Sequence, residues 1–197
     1  MTKVLILGAY GQIARVATNL FLAESDAKLT LYLRNARRLN GIGHLDRARV
    51  IEGDVMDAQS LRMAMEGQDV VYANLSGDLE GQARTIVAAM KTTGVGRLIF
   101  ISSMGIYDEV PGQRYDSILD PYRNAASVIE HSGLDYTIVR PAWLNNKDEI
   151  AYGTTQKGEP FANPDAVVSR KSVADLVVKL ALAPHAGVRS SLGVHKH

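Results

Sequence analysis

Val4-Leu5-Ile6-Leu7-Gly8-Ala9-Tyr10-Gly11-Gln12-Ile13-Ala14 is the stretch whose reading decides the fold. Val4 to Leu7 is an unbroken apolar run, the pattern of a strand buried on both faces of a parallel sheet. Gly8-Ala9-Tyr10-Gly11 follows without a spacer. Ile13, Ala17, Leu20 and Phe21 then recur at i, i+4, i+7 and i+8, one face of an amphipathic helix. Strand, glycine turn and helix in that order aim free backbone N–H groups and a helix N-terminus at a phosphate. Gly8 permits the sharp turn, Gly11 removes a side chain where a pyrophosphate would approach the main chain, and Ala14 lets the helix lie close on the strand. The turn reads G-x-x-G-x-x-A, so Gly8, Ala9, Tyr10, Gly11, Gln12 and Ile13 form the expected diphosphate site.

Residues 29–33 make a second strand, and Arg34-Asn35-Ala36-Arg37-Arg38 lie beyond its end. In a dinucleotide fold the adenosine ribose sits here. An acidic residue would bond the 2′-hydroxyl of NAD, whereas arginine accommodates the 2′-phosphate of NADP. Arg34 and Arg37 offer forked donors matched to phosphate oxygens and no acid accompanies them, so NADP is expected over NAD. Residues 48–53 form a third strand closing on Gly53-Asp54-Val55. There Asp54 could accept from the adenine amino group, with Val55 against the ring; a turn or cap role would explain Asp54 equally well.

Residues 57–66 read as a helix with Leu61 and Met65 inward, and residues 70–73 as a strand ending in Asn74-Leu75-Ser76-Gly77. The small residues at that strand end suit main chain passing close to a cofactor, which brings Leu75, Ser76 and Gly77 into the expected site. A helix over 80–93 stops at Gly94 and Gly96. Residues 98–101 deliver Ser102-Ser103 to the carboxyl edge of the sheet. A helix over 117–132 has Ala125, Val128 and Ile129 inward and stops at Gly133. A strand over 136–139 runs into Arg140-Pro141-Ala142-Trp143. Ser102, Pro141 and Ala142 are expected on the cofactor side, with Trp143 placed either to stack on a planar acceptor or to sit half-buried under a lid. An ion pair is the expected role of Arg140. Residues 145–170 are irregular, a lid or a pair of short strands over the site. Ser172-Val173-Ala174-Asp175 has the form of a capping box opening a helix that stops before Pro184, and residues 191–194 are expected as a last edge strand. The alternation predicts an α/β fold, a Rossmann-like doubly wound parallel sheet, in a single domain over residues 1–197.

The 197 residues carry 46% hydrophobic and 22% charged residues and a formal net charge of +1. That balance gives no reason to expect a nucleic-acid or membrane partner. No cysteine is present, which removes disulfide, thiolate and cysteine–metal chemistry. No segment has the length of a membrane span or the layout of a signal peptide, so a cytoplasmic location is expected. The histidines at 44, 131, 185, 195 and 197 show no metal spacing apart from His195-x-His197, at a terminus expected to be mobile. No metal site is expected. Asp108-Glu109 and Asp148-Glu149 fall in loops, where solvated charge is expected.

VLILGAYGQIA, IEGDV, RLIFISSMGIY, SGLDYTIVRPAW and VSRKSVADLV together resemble the atypical short-chain dehydrogenase/reductases of the NmrA-like, NAD(P)-binding group, from Val4 to about Leu182. The chain is more distantly similar to flavin reductases of the biliverdin-IXβ reductase type. The resemblance implies a nicotinamide cofactor and a small-molecule site at the strand ends. It also places Ser103 at the serine of a Ser–Tyr–Lys set, where its hydroxyl could polarise an acceptor oxygen. The tyrosine and lysine positions of that set fall on Ile118 and Tyr122, and neither matches. Tyr107 or Tyr122 could donate a proton, but without a neighbouring ammonium a tyrosine is a poor base near neutrality. Alcohol oxidation is therefore disfavoured. Reduction of a planar acceptor such as a flavin or quinone, whose proton can come from solvent, stays open. So does a non-catalytic, cofactor-binding regulator of the NmrA-like kind. A sugar-nucleotide epimerase or dehydratase suffers from the same missing pair.

Overall fold

A computed structural model of the chain describes residues 1–39, 46–183 and 185–197; His44 and Pro184 lie outside the described residues. Its strands are β1 (Lys3–Leu7), β2 (Lys28–Leu33), β3 (Ala48–Glu52), β4 (Val70–Ala73), β5 (Arg97–Ile101), β6 (Asp135–Pro141), β7 (Leu144–Asn145), β8 (Gly153–Gln156), β9 (Val168–Ser169) and β10 (Ser190–His195). The α-helices are α1 (Gln12–Glu24), α2 (Ala58–Met65), α3 (Leu79–Thr93), α4 (Asp120–Glu130) and α5 (Arg170–Leu182).

Val4, Leu5, Ile6 and Leu7 are all fully buried, as the uninterrupted apolar run requires. Because strand side chains alternate, the four feed two separate cores. Val4 and Ile6 pack with Ile13, Ala17 and Phe21 of α1 and with Val173 and Val177 of α5. Leu5 and Leu7 pack with Leu61 and Met65 of α2, Ile86 and Met90 of α3, and Ala125 and Ile129 of α4. Helices thus cover both faces of one sheet, in the order β3-β2-β1-β4-β5-β6-β10-β8, and every pairing except β10 with β8 is parallel. This is the doubly wound Rossmann-like arrangement. The order in which strands are added switches sides between β1 and β4, and a ligand crevice opens outside their carboxyl ends. Among the described residues no helix is long and apolar enough to cross a membrane.

Four local expectations are corrected. The strand over 191–194 is not at the edge: β10 lies between β6 and antiparallel β8, with Leu192 and Val194 in the core. The true edge, β8, is Gly-Thr-Thr-Gln, and only its Thr155 is buried. Hydrophobic patterning gives such a strand no signal. The helix over 117–132 begins as a 3-10 turn, Ser117–Leu119, and becomes α-helical only at Asp120, with Pro121 in the first turn, where a missing N–H costs nothing. Glu109 is not solvated: its side chain is 5% exposed and pairs with fully buried Arg140. His195 is buried in β10 and not on a mobile tail.

The cap of α5 also moves, three residues upstream of the expected Ser172. Ser169 is the N-cap, its Oγ accepting from the Ser172 N–H at 2.9 Å and donating to the Glu149 carbonyl at 2.6 Å. Asp175, expected to close a capping box, instead accepts from the Tyr152 hydroxyl at 2.7 Å and pairs with Lys179 at 2.6 Å. Ser169 is 1% exposed, so water cannot replace these bonds. Ser169→Ala is expected to lower stability by about 1–2 kcal/mol, read as a lower urea midpoint with an unchanged slope. A shift below about 0.3 kcal/mol would show that the cap does not hold the helix.

Candidate functional site

The turn after β1 is built by main-chain bonds. Gly8 has φ +72°, and the Gly8 and Ala9 N–H groups both donate to the Tyr32 carbonyl, at 3.0 and 3.3 Å. The Gly11 N–H donates to the Gly8 carbonyl at 2.8 Å. The helical ladder opens with the Arg15 N–H on the Gly11 carbonyl at 2.9 Å. Among the described residues the N–H groups of Tyr10, Gln12 and Ile13 meet no acceptor. The expected six-residue site therefore divides: Gly8, Ala9 and Gly11 hold the turn, while Tyr10, Gln12 and Ile13 have donors to offer an anion at the positive end of α1.

Asn74, at the end of β4, is a residue that sequence reasoning passed over. A Cβ on Gly8 would stand 2.2 Å from the Asn74 carbonyl oxygen, and one on Gly11 would stand 1.9 Å from its Nδ2. Both glycines admit Asn74 as well as any ligand. The carboxyl ends of β1 and β4 are thereby locked together at the floor of the crevice.

The crevice is a cavity of about 410 Å³ reaching from Gly8 and Gly11 to the ends of β2, β3 and β4. At the β2 end it is walled by Arg34, Asn35 and Arg38. The 3-10 turn Ala36–Leu39 brings Arg38 to the wall and leaves Arg37, the arginine named with Arg34 from spacing, exposed and outside the lining. Two guanidinium groups approach the Tyr10 ring, Arg15 at 4.8 Å and Arg38 at 5.1 Å from its centroid. Among the described residues neither Arg34 nor Arg38 has a carboxylate within ion-pair distance. On the β3 side, Tyr32 donates to the Asp54 carbonyl at 3.0 Å, and Gly53 leaves room for that phenol. Burial, aided by the carboxylates of Asp57 and Asp54, pushes the Tyr32 hydroxyl up to about 12, so it stays protonated. Asp54 Oδ1 accepts from the Met56 N–H at 2.9 Å, the turn role. Asp54 and buried Val55 both line the cavity.

At the β4 end Leu75, Ser76 and Gln82 line the cavity. Gln82 donates to the Ser76 carbonyl at 3.1 Å, and its Oε1 is buried with no partner among the described residues. Gly77 is outside the lining; its φ of +91° turns the chain into the Asp78 cap of α3.

Ser102, Ser103, Tyr107, Tyr122, Pro141 and Ala142 lie beyond this cavity, toward β5 and β6. The Ser102 hydroxyl is buried with no partner among the described residues, and the Ser103 hydroxyl donates to the Met104 carbonyl at 3.1 Å. Pro141 and Ala142 are tied by main chain: the Pro141 carbonyl accepts from Met104 at 3.2 Å, and the Ala142 N–H donates to Val194 at 2.9 Å. The Tyr107 hydroxyl donates to Glu130 at 2.7 Å, and burial raises its pKa well above the ordinary value. Tyr122 packs half-buried against the core under α2, α3 and α4. No tyrosine among these is arranged as a base. Trp143 is 67% exposed, which excludes the half-buried lid role. Its carbonyl accepts from Val168, placing exposed Val167 beside it.

The crevice fits a dinucleotide on three counts. Among the described residues it has free N–H groups at a helix N-terminus, unpaired arginines at the β2 end, and a buried Gln82 Oε1 without a partner at the β4 end.

Comparison with known proteins agrees with this geometry. A family model described as NAD(P)H-binding matches residues 8–184. A Rossmann-fold NAD(P)-binding family protein from Shigella flexneri is 43% identical with a TM-score of 0.87, covering 100% of this chain and 94% of that one. A short-chain dehydrogenase/reductase from Veillonella parvula DSM 2008, solved in complex with NADP, is 29% identical with a TM-score of 0.90, covering 99% and 94%. Among curated proteins, one described as an uncharacterized sugar epimerase from Bacillus subtilis (strain 168) is 27% identical over 192 residues, covering 89% of this chain and 86% of that protein.

Proposed function

Because the chain belongs to the NAD(P)H-binding family, we propose that it is an NADPH-dependent reductase of the atypical short-chain dehydrogenase kind acting on a small planar acceptor, a flavin or quinone. The observation that carries the reading is that, among the described residues, the N–H groups of Tyr10, Gln12 and Ile13 are unbonded at the start of α1, while the cavity that Tyr10 lines is walled by Arg34 and Arg38 with no carboxylate at ion-pair distance. The relative solved with NADP supports the choice of the phosphorylated cofactor. When bound, the nicotinamide supplies a hydride. The chain's own part is to bind and orient. The three N–H groups take the diphosphate, Arg34 and Arg38 take the 2′-phosphate, and Asp54 and Val55 border the adenine. Ser103, turning its hydroxyl from the Met104 carbonyl, donates to the acceptor oxygen as charge builds there, and exposed Trp143 offers a face for a flat ring.

The acceptor class follows from what Tyr107 cannot do. Its hydroxyl donates to Glu130 at 2.7 Å and burial raises its pKa, so it is neither a free proton donor to an acceptor nor a base near neutral pH. A flavin or quinone needs none, since its delocalised ring takes the hydride and solvent supplies the proton. The same observation favours a second reading, a cofactor-binding regulator without turnover, and it disfavours epimerisation, which needs a base. Following NADPH absorbance with a panel of flavins and quinones separates the first two, and product analysis of sugar nucleotides incubated with the oxidised cofactor tests the third, since epimerisation consumes no net NADPH. Turnover with a planar acceptor supports the reductase, and tight binding without turnover on any of them supports the regulator. Ser103→Ala is expected to lower kcat about tenfold, roughly one lost hydrogen bond in the transition state, with NADPH affinity changed less than twofold. An unchanged rate would remove Ser103 from the reaction.

A further inference from the structure

Arg140 is the largest fully buried side chain among the described residues, and the side chain of Glu109, which it pairs with, is nearly as deeply buried. Desolvating two charges is costly, and such a pair persists only where its remaining donors and acceptors are satisfied. Here they are. Arg140 Nε donates to Ser191 Oγ at 3.0 Å, and Nη2 to the carbonyls of Ser191 and Thr155 at 3.2 and 3.3 Å, which joins β6 to β10 and β8. Glu109 Oε1 accepts from the Gly105 N–H at 3.0 Å as well as from Arg140, and Oε2 accepts from the Tyr107 N–H at 2.9 Å. The carboxylate thus gathers the turn that follows β5 and pins it to the end of β6.

That turn carries Ser103. Its near side is held by the sheet, with the Ser102 N–H on Val139 at 2.8 Å and the Met104 N–H on Pro141 at 3.2 Å. Its far side, where Gly105 turns at φ +85°, takes its N–H acceptors from Glu109. The Glu109 carbonyl also accepts from Phe161 at 2.8 Å, so the segment leading to Val167 and Val168 is tied to the same point. We propose that Arg140 and Glu109 are positioning residues: they fix the turn over residues 102–109 and so hold the Ser103 hydroxyl at the acceptor side. The proposal rests on the reading of Ser103 above.

The test removes both charges together, Arg140→Met with Glu109→Leu, so that neither is left buried alone. Arg140→Lys serves as a second variant that keeps the charge and loses the fork. Hydrogen exchange over residues 102–109 reads the latch directly. Protection at Gly105 and Tyr107 is expected to fall at least about tenfold in the double variant, while β4 keeps its own. In kinetics, kcat is expected to fall about tenfold with NADPH affinity within twofold, and the loss is expected to vanish on a Ser103→Ala background, as for groups acting through one another. Arg140→Lys is expected to fall between parent and double variant. Additive losses on the Ser103→Ala background, or unchanged protection, would overturn the proposal. If the parent protein reduces no acceptor, the reading of the reaction falls, and exchange alone decides the latch: lost protection upholds it and unchanged protection overturns it.

Discussion

Gly8→Ala is expected to weaken NADPH binding about 100-fold or more, roughly 2.7 kcal/mol, and to lower stability by about 2–4 kcal/mol. Two effects combine at this residue. Its φ of +72° is a left-handed conformation that a Cβ makes unfavourable. The Cβ would also stand 2.2 Å from the carbonyl oxygen of Asn74 and 3.1 Å from its carbonyl carbon. Those are main-chain atoms at the end of β4, so no rotamer change relieves the clash. The turn must move, and Tyr10, Gln12 and Ile13 move with it. Calorimetric titration with NADPH, beside urea unfolding, measures both losses. Gly77→Ala is the control: its φ of +91° is equally left-handed, but nothing lies within 4 Å of the added carbon. It is expected to show strain with little change in binding. A Gly8→Ala protein that binds like the parent would contradict the assignment of this turn to the diphosphate.

Arg34→Glu carries the second large effect. Arg34 and Arg38 line the cavity with no carboxylate at ion-pair distance among the described residues, so a 2′-phosphate there gains charge-assisted bonds at no competing expense. Reversing the sign replaces an attraction by a repulsion. NADPH affinity is expected to fall about 100-fold and NADH affinity to change by less than about threefold, since NADH places a hydroxyl where NADPH places the phosphate. Equal losses for the two cofactors would show that the 2′-phosphate does not lie at Arg34.

Local signals carried the sheet. The run Val4 to Leu7 is hydrophobic at every position because both its faces are covered, and the glycines at 8 and 11 mark a turn that later proves to be crowded by Asn74. What escaped was non-local. Nothing near Arg140 in the chain announces Glu109, 31 residues away, and an Asp-Glu pair in a loop ordinarily faces water. β8 escaped because an edge strand of threonines and glutamine has no hydrophobic period. Arg37 and Arg38 could not be told apart without the phase of a 3-10 turn, which the cation–π stack on Tyr10 helps to fix. The Ser169 cap was obscured by a serine three residues later that fits the same pattern.

The account stands on a phosphorylated dinucleotide lying across the ends of β1 and β4. Titrating the protein with NADPH and NADH at up to millimolar concentration in a calorimeter tests it most directly. Saturable association with both, tighter for NADPH, is the predicted result; no association with either would contradict it.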